Sequence, residues 1–356
     1  MRKISRREFI RRTAVSAGGL TGAWLLQACG AKAAEAPGPL PTPTKTSPSA
    51  IPTASPSASR AATAEAAPAT GAPTAASSSA PSPTPGIPDV AVARGGEPED
   101  LVKRALAALG GIERFVKTGD SVIIKPNICV AYHTYEYAAT TNPWVVGALV
   151  RLCLGAGASK VTVMDYPFGG TAQAAYKISG IQKEVEAVGG TMAFMPGYRY
   201  KPVQLPAAVK LKKAEIFEDI LNTDVLIDVP VAKTHDSATL TLGMKNLMGV
   251  VKDREDLHVS LHQSIADLAG FIRPKLTLVD AVRIMTRGGP TGGDLSYVKK
   301  LDTVIASADL VAADAYATTL FGMQPADVQY ITYGAKAGLG NADLGSLKIE
   351  EIPVGA

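Results

Sequence analysis

Four short apolar runs, each followed within two positions by a charged residue, constrain what this chain can fold into. The runs are 122–124, 161–164, 225–231 and 276–279, and the charged residues after them are Lys125, Asp165, Lys233 and Asp280. Their length and β-branched content are typical of buried strands, and segments with helical periodicity lie between them. This alternation predicts an α/β domain with a mostly parallel sheet flanked by helices.

One part of the chain does not follow this alternation. The segment 191–212 carries prolines and alternating polar residues, which is compatible with a small pair of edge strands beside the main sheet. We expect a helical stretch over 173–188 before this segment and a short helix over 214–221 after it.

The four charged strand ends predict a binding site. Parallel strands present their carboxyl ends at one edge of a sheet, and open α/β sheets bind ligands there. Each of the four residues has an ordinary alternative explanation, because charged residues also occur where a buried strand meets solvent. The four together favour a site at this edge.

The stretch 224–253 holds a dense group of reactive side chains, namely Lys233, His235, Lys245 and Asn246. Lysines supply positive charge and asparagines supply both donors and acceptors, which suits a small carboxylate or phosphate. A lysine near other cations in a partly dry cleft has a lowered pKa, so it can abstract a proton or form an imine. His235 is a natural general acid or base near neutral pH, or alternatively makes a structural hydrogen bond in its loop.

These considerations assign two sets of candidate residues. The catalytic candidates are Lys233, His235, Lys245 and Asp280, and the substrate-binding candidates are Lys125, Asn127, Asn246, Gly289 and Asp314. Gly289 belongs to the loop 288–293, whose backbone N–H groups can turn towards an anion, although any irregular connection also uses glycines. Asp314 lies within an apolar helix, where a carboxylate is expected to face a polar partner.

A metal site is one further interpretation. His258 and His262 are four residues apart, so on one helix they would share a face and could bind a divalent metal, with His235 as the best candidate for a third ligand. The spacing is not the HExxH of zinc proteases. The chain also has no Walker A motif and no GxGxxG after the first strand, which removes the usual support for a P-loop or dinucleotide site.

The first 29 residues have the pattern of an export signal. Arg6 and Arg7 match the twin-arginine pattern, and a weakly apolar stretch over 14–28 follows. The sequence LQAC at 26–29 resembles a bacterial lipobox, which predicts lipidation of Cys29; an uncleaved anchor or an ordinary signal peptidase site is the alternative. We therefore expect export by the twin-arginine machinery and a lipid-anchored protein of the cell envelope, outside the cytoplasmic membrane or in the periplasm.

Residues 30–88 consist largely of alanine, proline, serine and threonine. Such a tract cannot bury enough apolar surface to offset the entropy of ordering it, so it predicts a disordered, semi-stiff tether. The α/β domain is then expected over 89–356.

Charge and cysteine content exclude some classes of protein. The net charge is +4, and the predicted domain has no block of lysines and arginines, so nucleic acid is not expected as a partner. The three cysteines include no CxxC, and they form neither a disulfide framework nor the cysteine runs that 4Fe-4S clusters need.

Several motifs, in this order, resemble the signatures of one family. They are KPN at 125–127, TNP at 141–143, VPVAKTH at 229–235, GMKNLMG at 243–249, IADL at 265–268, GP at 289–290 and AADA at 312–315. On this resemblance, which covers about 89–352, the chain is identified as a member of the DUF362 family. The family is named for its unknown function, so the resemblance implies no reaction. Some members carry 4Fe-4S segments, and this chain departs from them.

The leading hypothesis is an exported, membrane-tethered enzyme that acts on a small anionic substrate through Lys, His and Asp side chains, with its cofactor, if any, unknown. Two alternatives stay open: a ligand-binding lipoprotein without chemistry, and an accessory protein of an exported redox complex. Catalysis predicts a hydrogen-bonded Lys–His–Asp constellation beside a cavity, whereas binding needs only the cavity and its donors.

Overall fold

The computed structural model describes residues 86–355. The predicted export signal, the lipidation of Cys29 and the tether as far as residue 85 lie outside the described residues and stay predictions. Within the described range, no helix combines the length and the apolar character needed to cross a membrane.

Twelve strands are present in the described residues, and we number them in chain order. They are β1 (Val90–Arg94), β2 (Ser121–Pro126), β3 (Lys160–Val163), β4 (Thr191–Met192), β5 (Tyr200–Gln204), β6 (Lys213–Phe217), β7 (Val225–Val229), β8 (Val231–His235), β9 (Thr239–Thr241), β10 (Leu276–Met285), β11 (Val298–Ser307) and β12 (Ile349–Pro353). Ten of them form one sheet, and β5 and β6 form a separate antiparallel pair.

The same residues form ten α-helices. They are α1 (Pro98–Ala108), α2 (Pro143–Gly155), α3 (Ala172–Ile178), α4 (Ile181–Ala187), α5 (Glu218–Asn222), α6 (Gly243–Asn246), α7 (Glu255–His258), α8 (Leu261–Ile272), α9 (Leu310–Thr318) and α10 (Gln329–Lys336). A 3-10 helix, Leu247–Val250, directly follows α6. At the start of α2, the side chain of Asn142 accepts a hydrogen bond from the backbone N–H of Trp144, as expected of an N-cap residue.

The large sheet is mixed but mostly parallel, which confirms the predicted fold class. Its main strand order is β12-β1-β11-β10-β7-β2-β3-β4, and β8 extends it by pairing with β10 and β9. The strands β7, β2, β3 and β4 are parallel neighbours, and β10 is parallel to both β7 and β8. The antiparallel partners are β11, which lies between β1 and β10, and the short β9.

Helices cover both faces of this sheet. On one face, side chains of α1, α2 and α4 pack with the apolar side chains of β2, β3 and β7 in one buried cluster. On the other face, α8, α9 and α10 contribute to a second buried cluster, together with the β5–β6 pair. Burial on both faces explains why the strands read as continuous apolar runs.

Local structure differs from the sequence predictions at several places, and one of them is the run 225–231, which is divided at Pro230 so that Lys233 lies within β8. Of the small strand pair, only β5 lies within 191–212; β6 begins at Lys213, so 214–217 is strand where we predicted helix, and pairing with β5 buries Ile216 and Phe217 there. The helical stretch predicted over 173–188 is divided into α3 and α4, because Gly180 adopts a positive φ of 79° between them. Finally, β10 continues five residues past Asp280, which therefore lies within a strand and not at its end.

Candidate functional site

A cleft of about 710 Å³ lies beyond the carboxyl ends of β2 and β3, next to β8 and α6. Seven of the predicted site residues line it, namely Lys125, Asn127, Lys233, His235, Lys245, Asn246 and His258. Asp165 also lines the cleft, because β2 and β3 are parallel neighbours that end side by side. The volume is within the range of about 300–1,000 Å³ that is usual for small-molecule sites.

A hydrogen-bonded network fixes the floor of the cleft. The Nζ of Lys125 donates to Asp165 Oδ1 at 2.8 Å and to Asn246 Oδ1 at 3.1 Å. Asn127 donates from Nδ2 to the same Asn246 oxygen at 3.0 Å and accepts at Oδ1 from Lys233 Nζ at 2.9 Å. Because both lysines are only 1% exposed, the network holds two ammonium groups rigidly beneath the cleft.

Asp228 lies behind this floor and is fully buried. Its Oδ1 accepts a hydrogen bond from Asn246 Nδ2 at 2.8 Å, and its Oδ2 has no partner within the described range. Burial raises the pKa of Asp228 well above its ordinary value, which favours the neutral carboxylic acid.

Lys233 forms no ion pair with a carboxylate anywhere in residues 86–355. Its second hydrogen bond is to the backbone carbonyl of Ala139, at 2.6 Å. Burial lowers the pKa of Lys233, because a charged ammonium group is poorly solvated in this environment. In its charged form Lys233 therefore contributes a positive field to the cleft.

Lys245, on α6, is half-buried and projects into the same cleft. Its ammonium group has neither a hydrogen-bond acceptor nor an ion-pair partner among the residues that the structure describes. Burial, together with the positive charges of Lys233 and Arg254, lowers the pKa of Lys245 to about 8. A ligand anion could satisfy this group, and at neutral to slightly alkaline pH the group could also exchange a proton.

The imidazole of His235 has one nitrogen engaged with the backbone. Its Nδ1 lies 3.2 Å from the N–H of Ser237 and 3.3 Å from the N–H of Ala238, and it accepts from both. Burial, reinforced by the charges of Lys245 and Lys233, lowers the pKa of His235 to about 3. The neutral ring then carries its proton on Nε2, so His235 is suited to donate a hydrogen bond to an anion.

Gly249 allows the backbone to approach the ion pair in the floor. A Cβ at this position would lie 2.3 Å from Asp165 Oδ1 and 2.6 Å from Lys125 Nζ. We therefore expect Gly249→Ala to lower the free energy of unfolding by about 1–3 kcal/mol, because the buried pair has little room to move. Denaturant unfolding measures the loss.

Gly155 provides the matched control for this substitution. It is the last residue of α2, and a Cβ there would meet no atom within 4 Å. Gly155→Ala should leave the stability unchanged or raise it slightly, since alanine favours helix. Equal stability of the two variants would contradict the tight packing inferred at Gly249.

A model of the family described as "Domain of unknown function (DUF362)" matches residues 122–319, more than half of the chain. The chain belongs to the DUF362 family. Every residue that lines the cleft, from Lys125 to Thr291, falls inside this match. The thylakoid-associated protein sll1697 of Synechocystis is 27% identical to this chain over 247 residues, which covers 67% of this chain and 74% of that protein.

Two solved structures have a limited likeness to this DUF362 protein. The lactate racemase apoprotein of Thermoanaerobacterium thermosaccharolyticum aligns with a TM-score of 0.44 and 15% identity, over 66% of this chain and 57% of the racemase chain. A protein of Thermotoga maritima aligns with a TM-score of 0.37 and 9% identity, over 64% of this chain and 60% of that one. The chain thus spans little more than half of the racemase.

Two aspartates among the other candidates in this DUF362 domain make structural contacts and do not line the cleft. Asp280 accepts hydrogen bonds from the backbone N–H groups of Asn142 and Val282, at 2.6 and 3.0 Å. Asp314 accepts from the first two N–H groups of α6, at 2.6 and 2.9 Å, and so holds the helix that carries Lys245. Burial raises the pKa of Asp280 to about 6 and that of Asp314 to about 7.

Gly289 also has a packing role. Its N–H donates to Thr234 Oγ1 at 3.2 Å, and a Cβ there would lie 1.8 Å from the carbonyl oxygen of Thr234. The glycine therefore lets the loop 288–293 pack against β8. Since its N–H already has an acceptor in the protein, the loop does not offer this group to an anion.

The predicted histidine pair does not share one helix. His258 ends α7 and His262 belongs to α8, with the chain bending at 259–260. His258 lines the cleft and its Nδ1 lies 2.7 Å from the Arg254 carbonyl oxygen, whereas His262 stacks on Tyr330. No group of three or more His, Cys, Asp or Glu side chains within 86–355 is placed to hold a metal ion.

Some cleft residues were not singled out by the sequence. Thr241 is 3% exposed, lines the cleft, and has an Oγ1 without a partner in the described part of the chain. Its position opposite Lys233 depends on β9 turning back along β8. Arg254 and Cys129 enter the cleft from loops. No motif marks these residues, in contrast to Asp165, which the sequence predicted at this edge from its place after the run 161–164.

Proposed function

We propose that this DUF362 domain binds a small carboxylate or phosphate anion in the cleft, and that Lys245 both pairs with the anion and transfers a proton to or from it. The observation that carries this proposal is the half-buried ammonium group of Lys245, which has no acceptor in residues 86–355 and lies in a cleft with a cationic floor. Satisfying such a group is worth more in a partly dry site than in water.

Other side chains can complete the anion site. His235 offers its Nε2–H, because its Nδ1 accepts from the backbone. The unpartnered hydroxyl of Thr241 supplies another donor. Lys233 adds charge from below without leaving its hydrogen bonds to Asn127 and Ala139. Together these groups provide charged and neutral hydrogen-bond donors for one ligand.

Proton transfer is assigned to Lys245 because burial lowers its pKa to about 8, close to the pH at which a general acid or base is efficient. His235 is not assigned this role, because it is not part of the predicted Lys–His–Asp constellation. Its ring bonds to backbone N–H groups, and Asp280 lies outside the cleft. A binding protein without catalytic activity would also have no carboxylate partner for His235. Both functions require the same anion contacts.

Calorimetric titration with inorganic phosphate and with succinate tests the proposal. Binding by the full chain is expected, and Lys245→Met should abolish or strongly weaken it. Lys183→Met is the matched control, because Lys183 is 85% exposed and does not line the cleft. No binding of either anion, or equal affinities for the Lys245 and Lys183 variants, would overturn the proposal.

We also propose that the domain acts outside the cytoplasmic membrane, held there by a lipid on Cys29 and the tract over 30–88. Support comes from the twin-arginine pattern at Arg6 and Arg7 and the lipobox-like sequence that follows it. A single acyl signal binds membranes only marginally, so we expect more than one lipid chain on the mature N-terminus.

Expression in a bacterial host with a twin-arginine pathway tests this localisation. The wild-type chain should fractionate with membranes and incorporate labelled palmitate. Replacing both Arg6 and Arg7 with lysine should leave it in the cytoplasm, whereas Cys29→Ser should allow export without labelling. A cytoplasmic, unlabelled wild-type chain would contradict both predictions.

A further inference from the structure

Two aromatic side chains at the mouth of the cleft are exposed to solvent. Phe168 is 72% exposed and Tyr166 is 42% exposed, and both line the cleft. The backbone beneath them is anchored, because the N–H of Phe168 donates to the carbonyl of Cys129 at 2.8 Å and the N–H of Ala131 donates to the carbonyl of Gly169 at 2.9 Å. The rings are therefore presented from an ordered segment.

Arg254 fixes the orientation of one of these rings. Its Nη2 donates to the carbonyl of Tyr166 at 2.7 Å, and its guanidinium carbon lies 4.9 Å from the centre of the Tyr166 ring. Its Nε–H is buried and has no partner in the described residues. The mouth of the cleft thus combines flat apolar faces with one unsatisfied cationic donor, next to the aromatic ring that it holds.

The size of the cleft indicates a ligand larger than its anionic group. A volume of about 710 Å³ is that of a site for a drug-sized molecule. The donors of the proposed anion site, Lys245, His235 and Thr241, need only the oxygens of one carboxylate or phosphate. The remaining wall includes the apolar side chains of Ile128 and Met248.

We propose that the ligand is an anion that carries a planar aromatic ring, with its anionic group on Lys245 and His235 and its ring against Phe168 and Tyr166. This inference rests on the proposed anion site and specifies the class of molecule that the site takes. Aromatic rings bind one another in offset or edge-to-face arrangements, which contribute beyond the area they bury. Ordered, solvent-exposed rings beside a cationic floor fit such a ligand better than a purely polar one.

A matched pair of phosphate monoesters tests the inference. Methyl phosphate and phenyl phosphate both carry close to two negative charges at about pH 7.5, so they differ mainly in the ring. We expect the full chain to bind phenyl phosphate roughly tenfold more tightly than methyl phosphate. Phe168→Ala should lower this ratio several-fold, towards one, while leaving the affinity for methyl phosphate unchanged.

The control variant is Tyr198→Ala, because Tyr198 is 83% exposed and does not line the cleft; it should keep the wild-type ratio. Equal affinities for the two esters in the wild type, or an equal loss of both in Phe168→Ala, would overturn the aromatic subsite while leaving the anion site intact. If neither ester binds, the anion site itself fails, and the inference fails with it. Cyclohexyl phosphate binding as tightly as phenyl phosphate would show an apolar subsite without preference for a planar ring, which would also overturn the inference.

Discussion

Replacing Lys125 with methionine is expected to lower the free energy of unfolding by about 3–5 kcal/mol. Lys125 and Asp165 are both almost fully buried and their charged atoms lie 2.8 Å apart. Methionine removes the positive charge, so the carboxylate of Asp165 loses its ion-pair partner. The carboxylate keeps the hydrogen bond that it accepts from the N–H of Ile128. The uncompensated charge, and not the loss of attraction alone, accounts for the large effect.

Denaturant unfolding of the full chain provides the measurement, with Lys252→Met as the control. Lys252 pairs with Glu215 at 3.2 Å, but both side chains are more than 40% exposed. Solvent screening should limit the control to less than about 1 kcal/mol. If the two variants lose the same stability, the Lys125–Asp165 pair does not hold the floor of the cleft together.

The affinity of the cleft for sulfate is expected to fall as the pH rises above about 8, the pKa to which burial lowers Lys245. Sulfate keeps its charge across this range, so a change in affinity with pH comes from a titrating group of the protein. Protonated Lys245 attracts the anion and neutral Lys245 does not, and a bound anion raises the pKa of Lys245 in the complex. The affinity should therefore decline roughly tenfold per pH unit between the free and the bound pKa.

His235 is not expected to contribute a second transition, because burial and neighbouring lysines lower its pKa to about 3. Lys245→Met should bind sulfate about 10–150-fold more weakly near neutral pH, the equivalent of about 1.5–3 kcal/mol for a charged hydrogen bond. Its affinity should also lose the transition near pH 8. A midpoint near the ordinary pKa of histidine, about 6.5, would point to His235 instead.

Loss of binding in Lys245→Met should not come from unfolding. A folded-state pKa of about 8, below the ordinary 10.5, means that the protonated lysine costs stability in the unliganded protein. This cost is fully present below about pH 8 and disappears as the pH rises towards the unfolded pKa. At neutral pH the methionine variant should therefore be as stable as the wild type or more stable.

The position of the cleft could be predicted from the sequence because it follows from local patterns. The apolar runs that become β2 and β3 predict parallel strands, and parallel strands end at one edge. This places Lys125 and Asp165 together without knowledge of any other contact. The family is likewise recognisable from short motifs around these residues, such as VPVAKTH and GMKNLMG.

Prediction was less complete where the role of a residue depends on distant partners. Asp280 has the sequence context of a strand end, but pairing with β11 extends β10 to Met285. Asp314 looks like a buried functional carboxylate, and only the packing of α9 against α6 shows that it holds the N–H groups of Gly243 and Met244. His258 and His262 have helical spacing, but a bend separates their helices.

The sequence by itself determined the α/β class, the family and the place of Lys125 and Asp165 at one edge, because strand periodicity and parallel topology are local signals with one geometric outcome. Only the tertiary structure decided which groups in that edge are chemically available. Packing buries Lys245 without a partner, which lowers its pKa. It also places Asp228 behind Asn246 and leaves the Thr241 hydroxyl unsatisfied. Those properties come from long-range packing, which sets the solvation of each group and the neighbours it has.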